Sequence, residues 1–282
     1  MKSWIYGKTM VKTATLLFTF ILVFAVGIFL LNNQLGLATA QADSTRLEES
    51  AGFDRYVENL AFGPGEKLYF DIGYGFINAG QATLEVVDLI EYSERPCYQI
   101  VSTAKSNKFF SSFYKVEDVV ESIVDATGIF SWHFEKHVRE GGYRADRLYR
   151  FDQPKNLVYY GKDTIEVAPY VQDALSVLYY VRTQKLKIGQ SYFIENFTDG
   201  KKYPLEVKVH RRETIKVKAG KFDCIVVEPL FLTSGVFKHE GKLTVWLTDD
   251  RLKMPVLMKS KVLVGSISAE LTDYELGEII EF

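Results

Sequence analysis

Two cysteines, four histidines and four methionines are the whole supply of thiol, imidazole and thioether side chains in 282 residues. No Cys-x-x-Cys pair occurs, and two thiols alone do not complete a four-ligand zinc site. No Gly-x-Ser-x-Gly elbow is present. The stretch "GSISAE" (265–270) reads as a strand of small residues, not a nucleophile turn. Neither Cys97 nor Cys224 has the local surroundings of a thiol nucleophile, and Asp249-Asp250 falls at an expected turn, where Asp serves the backbone. These shortages give the expectation of a protein that is not an enzyme and uses no metal and no cofactor. A hydrolase of envelope polymers is the weakest alternative, since an acid/base carboxylate pair needs no sequence signature.

Acidic residues are also missing from the start of the chain. None precedes Asp43, whereas Lys2, Lys8 and Lys12 lead into an unbroken apolar run from Ala14 to Leu31. A positive flank before an apolar segment is an export signal. The run is close to the ~20 residues that span a bilayer, so two fates stand side by side. "ATAQA" (38–42) offers small-x-small cleavage after Ala40 or Ala42. If retained, the segment anchors the protein with its positive end in the cytoplasm. Both fates place the remainder in the periplasm or cell envelope, with membrane contact only through the N-terminal segment. Residues 1–42 carry three positive charges and no negative ones, so the rest is more acidic than the whole-chain net charge of -2. That charge and the export argue against a nucleic-acid partner.

The polar stretch 43–60 reads as a linker, and 61–278 as one β-rich domain. Strand-like alternation dominates. In "EKLYFDIGYGFI", Leu68, Phe70, Ile72, Tyr74 and Phe76 share one face. "NAG" (78–80) is the expected turn, and the returning strand faces Ala82, Leu84, Val86 and Ile90 inward. The exception is "YVQDALSVLYYVRTQKL" (170–186), where Val171, Ala174, Leu175, Leu178 and Val181 form a helical stripe. A weak echo links the halves. Tyr69-Phe70, "LEV" (84–86), Cys97, Asp125, Lys136 and Gly141 recur in order as Tyr192-Phe193, "LEV" (205–207), Cys224, Asp249, Lys259 and Gly265. Two pseudo-repeats, 61–168 and 187–278, joined by the helix would form one curved wall.

Four stretches together resemble the exported bacterial family of domain of unknown function 3108: "LYFDIGYGFINAGQATLEV", "YKVEDVVESIVDATGIFSWHFEKHVREGGYRADRLYRFD", "QDALSVLYYVRTQKLKIGQ" and "VKAGKFDCIVVEPLF…GKLTVWLTDDRLKMPVLMKSKV". They span roughly 60–276. The ending "VWLTDDRLKMPVLMKSK" is also similar to a strand-turn-strand of Lol-type periplasmic lipoprotein carriers. The resemblance implies an all-β fold with one main helix, an unclosed barrel of antiparallel sheet with the helix on its concave face. It implies no reaction and no catalytic residue.

The candidate sites follow from that architecture. "WHFEKH" (132–137) suggests a metal pair, but in a strand His133 and His137 lie ~13 Å apart and belong to a solvated polar face. His210 and His239 have no companions in sequence. "SNKFFSSFYKV" (106–116) gathers Phe109, Phe110, Phe113 and Tyr114, which as one helical turn make an aromatic ridge. With Leu175, Leu178 and Tyr179 of the helix, the ridge is expected to line an apolar cavity for a lipid, acyl chain or lipoprotein segment. Capping the main core is its other reading. Arg139 and Arg147 are candidate contacts to an anionic headgroup, or else ordinary solvated charges. Cys97 and Cys224 form a disulfide, worth about 4–5 kcal/mol in the chain-entropy model, or are two small buried hydrophobes. The alternative function is a structural or protein-interaction module with a dry core.

Overall fold

The computed structural model describes residues 55–231, 243–261 and 265–282. The expected export segment, residues 43–54 of the expected linker and His239 lie outside them. Strands β1 (Lys67–Tyr74), β2 (Ile77–Tyr92), β3 (Arg95–Ser106), β4 (Glu117–Asp125), β5 (Ser131–Glu140), β6 (Tyr143–Asp152), β7 (Leu157–Tyr160) and β8 (Asp163–Glu166) form a meander. After the helix come β9 (Ser191–Ile194), a small hairpin of β10 (Phe197–Thr198) and β11 (Lys201–Lys202), then β12 (Leu205–Val217), β13 (Gly220–Phe231), β14 (Leu243–Thr248), β15 (Pro255–Lys261) and β16 (Ser266–Glu275). Among the described residues, fourteen strands make one antiparallel sheet in the order β8-β7-β6-β5-β4-β3-β2-β1-β16-β15-β14-β13-β12-β9. The two runs meet where β1 pairs with β16.

The sheet rolls up. The β12–β13 turn comes back onto the seam, where the Ala219 N–H donates to the Leu271 carbonyl at 3.1 Å and Lys218 pairs with Asp71. Several of the longer strands bury alternate residues on the inner face, as Leu68, Phe70 and Ile72 do in β1. Of the echoed residues, Cys97 is in β3 and Cys224 in β13, whereas Asp125 ends β4 and Asp249 lies just past β14. The backbone bond from Ala126 N to Pro96 O at the end of β4 has its counterpart from Asp249 N to Asp223 O at the end of β14.

Two details differ from the sequence reading for identifiable reasons. The first turn is at Gly75-Phe76, not "NAG", because Gly75 takes φ +59° and closes a tighter hairpin. Phe76 therefore leaves the inner row for the tip. In β2 the register slips between Val86 and Asp88. This bulge swaps faces: Leu89 joins the main core, and Ile90 packs on a separate outer cluster with Cys97, Ile123, Phe130 and Trp132.

The helix is shorter than its stripe. It covers Ser176–Thr183 (α2, the first helix being the short α1, Lys108–Ser111). Residues 171–173 do not join it because their backbone is committed elsewhere: Gln172 N–H donates to Glu195 O, and Phe197 N–H to Gln172 O. Asp173 then opens α2, its Oδ1 accepting the N–H groups of Leu175 and Ser176 at 2.7 and 2.8 Å. Val177, Leu178, Tyr179 and Val181 are buried in the same continuous core as the inner faces of both strand runs.

Arg182, on the last turn of α2, is fully buried. Its guanidinium donates to both Glu66 oxygens at 2.7 and 2.6 Å, to Ala61 O at 3.0 Å and to Leu252 O at 3.1 Å. It lies over the rings of Phe62 and Tyr179 at 5.3 and 5.2 Å. The end of the expected linker is fixed too: Asn59 is buried and donates to Phe62 O at 3.0 Å and Tyr98 OH at 3.2 Å. Removing one partner of a buried pair strands the other charge, so Arg182→Met is expected to cost about 3–5 kcal/mol in urea unfolding. Adding Glu66→Leu should recover a substantial part; a double variant as unstable as the single one would show that the loss comes from packing.

Candidate functional site

Leu175, Leu178 and Tyr179 are 3, 4 and 0 % exposed, packed within the core rather than lining an opening. Phe62 fills the space beside the helix, with its ring 4.8 Å from Tyr179 and 5.3 Å from Tyr98. The aromatic ridge is elsewhere, at the end of the sheet where β3 turns into β4. The structure does not bring the two sets of predicted residues together as one apolar lining.

The ridge is built with care for its backbone. Asn107 caps α1, with Oδ1 accepting the Phe110 N–H at 2.9 Å. Ser106 Oγ accepts the Val116 N–H at 2.9 Å, and the Ser112 hydroxyl donates to Phe109 O at 2.7 Å. The serines and asparagine of "SNKFFSS" thus satisfy the turn locally. Phe109, Phe110 and Phe113 form a ring triad with centroids 5.8, 5.6 and 5.1 Å apart. Phe110 packs on the core, whereas Phe109 and Phe113 stand 65 and 60 % exposed. Tyr114 turns inward, its ring against Gly141 and its hydroxyl donating to Glu140 at 3.4 Å.

Two neighbouring turns complete this end. Asn107 Nδ2 donates to Asn78 O at 2.7 Å and Asn107 N–H to Ala79 O at 3.0 Å, tying α1 to the hairpin that carries Phe76 and Ile77. Gly80 lets the strands approach there, since a Cβ would meet Lys105 O at 2.3 Å. Gly141 N–H donates to Lys115 O at 2.7 Å, which draws in the β5–β6 turn with exposed Tyr143 and Arg144. Phe76 and Ile77 are exposed by 108 and 52 %. Four large apolar side chains on two linked turns are therefore held in solvent.

Arg139 and Arg147 do not converge. Arg139 shares the outer face of β5 with His133, Glu135 and His137 and pairs with Asp146 at 2.6 Å. Arg147 lies opposite Lys136 in the β5–β6 register, on the inner face, 6.0 Å over the Tyr160 ring. The outer histidines flank Glu135, whose oxygens lie 3.6 Å from His133 and 3.1 Å from His137.

Sequence reasoning missed a charged group on the inner face: Asp118 of β4, Lys136 and Glu140 of β5, and Asp199 of the β10–β11 turn, which pairs with Lys136. Their signal was a charge in the apolar register of an alternating strand. Burial pushes the Lys136 ammonium down, with Asp199 opposing, and pushes the Asp118 carboxyl up against the Arg139 N–H and a hydrogen bond with Glu140.

The disulfide is corrected. Both thiols are free and buried, Cys97 in the outer cluster and Cys224 in the main core, with β2, β1, β16, β15 and β14 between their strands. Burial pushes each thiol up to about 12, which keeps both protonated and poorly nucleophilic. A shallow cavity of about 300 Å³ lies by the β2–β3 hairpin, lined by residues such as Leu89, Glu94 and Arg95.

Residues 69–272 match the family of proteins of unknown function designated DUF3108. The chain belongs to that family. A crystal structure of a β-barrel-like protein of domain of unknown function DUF1849 from Brucella abortus is similar at 11 % identity, covering 78 % of this chain and 100 % of that one, with a TM-score of 0.55. A Bacteroides fragilis protein described as exported and of YmcC-like fold aligns at 12 % identity over 79 % of this chain and 100 % of its own, with a TM-score of 0.30. No curated protein matches the chain. The Brucella likeness shows a shared β-barrel-like fold for this DUF3108 chain and nothing of its ligand.

The buried carboxyl gives a pH signature. A raised Asp118 holds its proton in the folded state at pH values where the unfolded chain has lost it. It therefore removes stability as pH rises from the ordinary carboxylate range to its raised value. Asp118→Asn, which keeps the acceptor for the Arg139 N–H, should match the parent in acid and exceed it at neutral pH in urea midpoints. An equal pH slope in both proteins would refute this.

Proposed function

We propose that this DUF3108 protein is a non-enzymatic component of the cell envelope that binds an apolar ligand, a lipid, acyl chain or lipoprotein segment, at the aromatic end of its sheet. The placement in the envelope rests on the N-terminal Lys-flanked apolar run. No helix among the described residues is long and apolar enough to cross a membrane. The observation that carries the reading is the outward-held pair Phe109 and Phe113. Exposed Phe is costly in water and gains about 1.5–3 kcal/mol per side chain on burial. A capped helix that fixes two of them outward, rather than letting them fold in, supports a binding surface.

The packing of α2 favours a second reading, a structural or protein-interaction module with function on its outside. With Leu175, Leu178 and Tyr179 buried, a ligand under the helix would have to displace it. Titration with a fluorescent fatty acid separates the two. The apolar-ligand reading expects saturable binding, weakened roughly 30-fold or more in Phe109→Ser/Phe113→Ser. That double variant should unfold within ~0.5 kcal/mol of the parent, since neither ring is buried. An intact protein without probe affinity would leave the scaffold reading standing.

A further inference from the structure

The charges around the aromatic end narrow its occupant. Lys105 and Lys115 are 74 and 59 % exposed beside it, Lys108 lies in α1 itself, and Arg144 follows the β5–β6 turn that is bonded to Lys115. Of the carboxylates described at this end, Glu140 is buried against Tyr114, and the more exposed Glu117 pairs with Lys105 at 3.5 Å and Lys115 at 2.7 Å. The rim is thus positive on a chain that is acidic once residues 1–42 are set aside. Apolar tips ringed by cations on an otherwise acidic body suit one kind of surface: an apolar slab faced with negative charge. Phe76, Ile77, Phe109 and Phe113 would enter the acyl boundary while the long cationic side chains remain at headgroup level.

We propose that the end formed by the β1–β2 turn, α1 and the β5–β6 turn docks on the surface of an anionic lipid bilayer. The proposal rests on the apolar-ligand reading and names the ligand's setting: the lipid is met in its membrane. The chain permits it sterically. Residues between Leu31 and Arg55 span at most about 80 Å when extended, so a retained N-terminal segment leaves this end within reach of the same bilayer. Arg55 joins the domain at the opposite end, where the neighbouring Val57 N–H donates to Thr127 O in the β4–β5 turn.

The test reads the surface itself, so that insertion of the N-terminal run does not obscure it. Full-length Phe113→Trp is reconstituted into vesicles of either pure phosphatidylcholine or phosphatidylcholine with phosphatidylglycerol, with part of the lipid brominated in its acyl chains. The parent, with its three native tryptophans, supplies the background. Leu148→Trp, on an exposed outer position of β6, is the control. Docking predicts that the indole introduced by Phe113→Trp shifts to the blue and is quenched in anionic vesicles. It also predicts at least a tenfold loss of that bound fraction's apparent affinity in Lys108→Glu/Arg144→Glu, and no response from Leu148→Trp. Equal quenching in neutral and anionic vesicles would overturn the electrostatic part. No quenching in either, with fatty-acid binding intact, would overturn docking and leave the apolar-ligand reading in place. A blue shift that depends on protein concentration and not on lipid would assign the surface to self-association and refute the proposal.

Discussion

The buried pair of Arg182 and Glu66 is the constraint around which the interior is arranged. One guanidinium joins three parts of the chain far apart in sequence: the end of α2, the segment Ala61–Glu66 that enters β1, and Leu252 in the β14–β15 turn. Taking two charges out of water costs several kcal/mol per ion, recovered only with good geometry and satisfied hydrogen bonds. Here the contact is bidentate, two carbonyls take further donors, and aromatic faces cover the cation. An arrangement that depends on so many partners tolerates little displacement. It sets where α2 lies against the sheet, and with it how much of the concave side remains.

That position fixes how the concave side is filled. With Arg182 locked, the helix presses Leu178, Tyr179 and Val181 into the strands of both runs, and Phe62 closes the gap beside it. Opening a ligand space there would mean breaking the ion pair or leaving one charge buried alone. The aromatic end has no such restraint. Its backbone is satisfied within its own turn by Asn107, Ser106 and Ser112, so Phe109 and Phe113 face water without any strand having to move. A stiff interior and an open, equally rigid tip are two consequences of where the hydrogen bonds are satisfied.

How much of this was legible in the sequence depends on the residue. Strand alternation identified the inner rows of β1 and of β2 as far as Val86, because period two survives any amount of curvature. It failed where a single residue changed the phase: at Gly75, whose positive φ moved the turn and expelled Phe76, and at the Val86–Asp88 bulge, which sent Ile90 outward. The helical stripe was real, but its first turn was claimed by backbone bonds to Glu195 and Phe197, partners too distant in sequence for periodicity to anticipate. Arg182, four residues after Leu178, and Lys136, between Phe134 and Val138, were visible as charges in apolar register. Neither was read from the sequence as a buried, paired group, so the ion pair and the inner charged group stayed hidden.

The exposure of the ridge illustrates the same limit from the other side. "FFSSF" next to a lysine fits a core cap and a surface tip equally well, since composition does not say which way a turn points. What separates them is the neighbour: Gly80 brings β2 and β3 so close that Asn107 is held to the β1–β2 hairpin, and the short α1 must then project past the end of the sheet. Phe110 alone reaches back to the core from there, because one turn of helix can direct only part of its circumference inward. The remaining rings have water or a partner, and nothing in between.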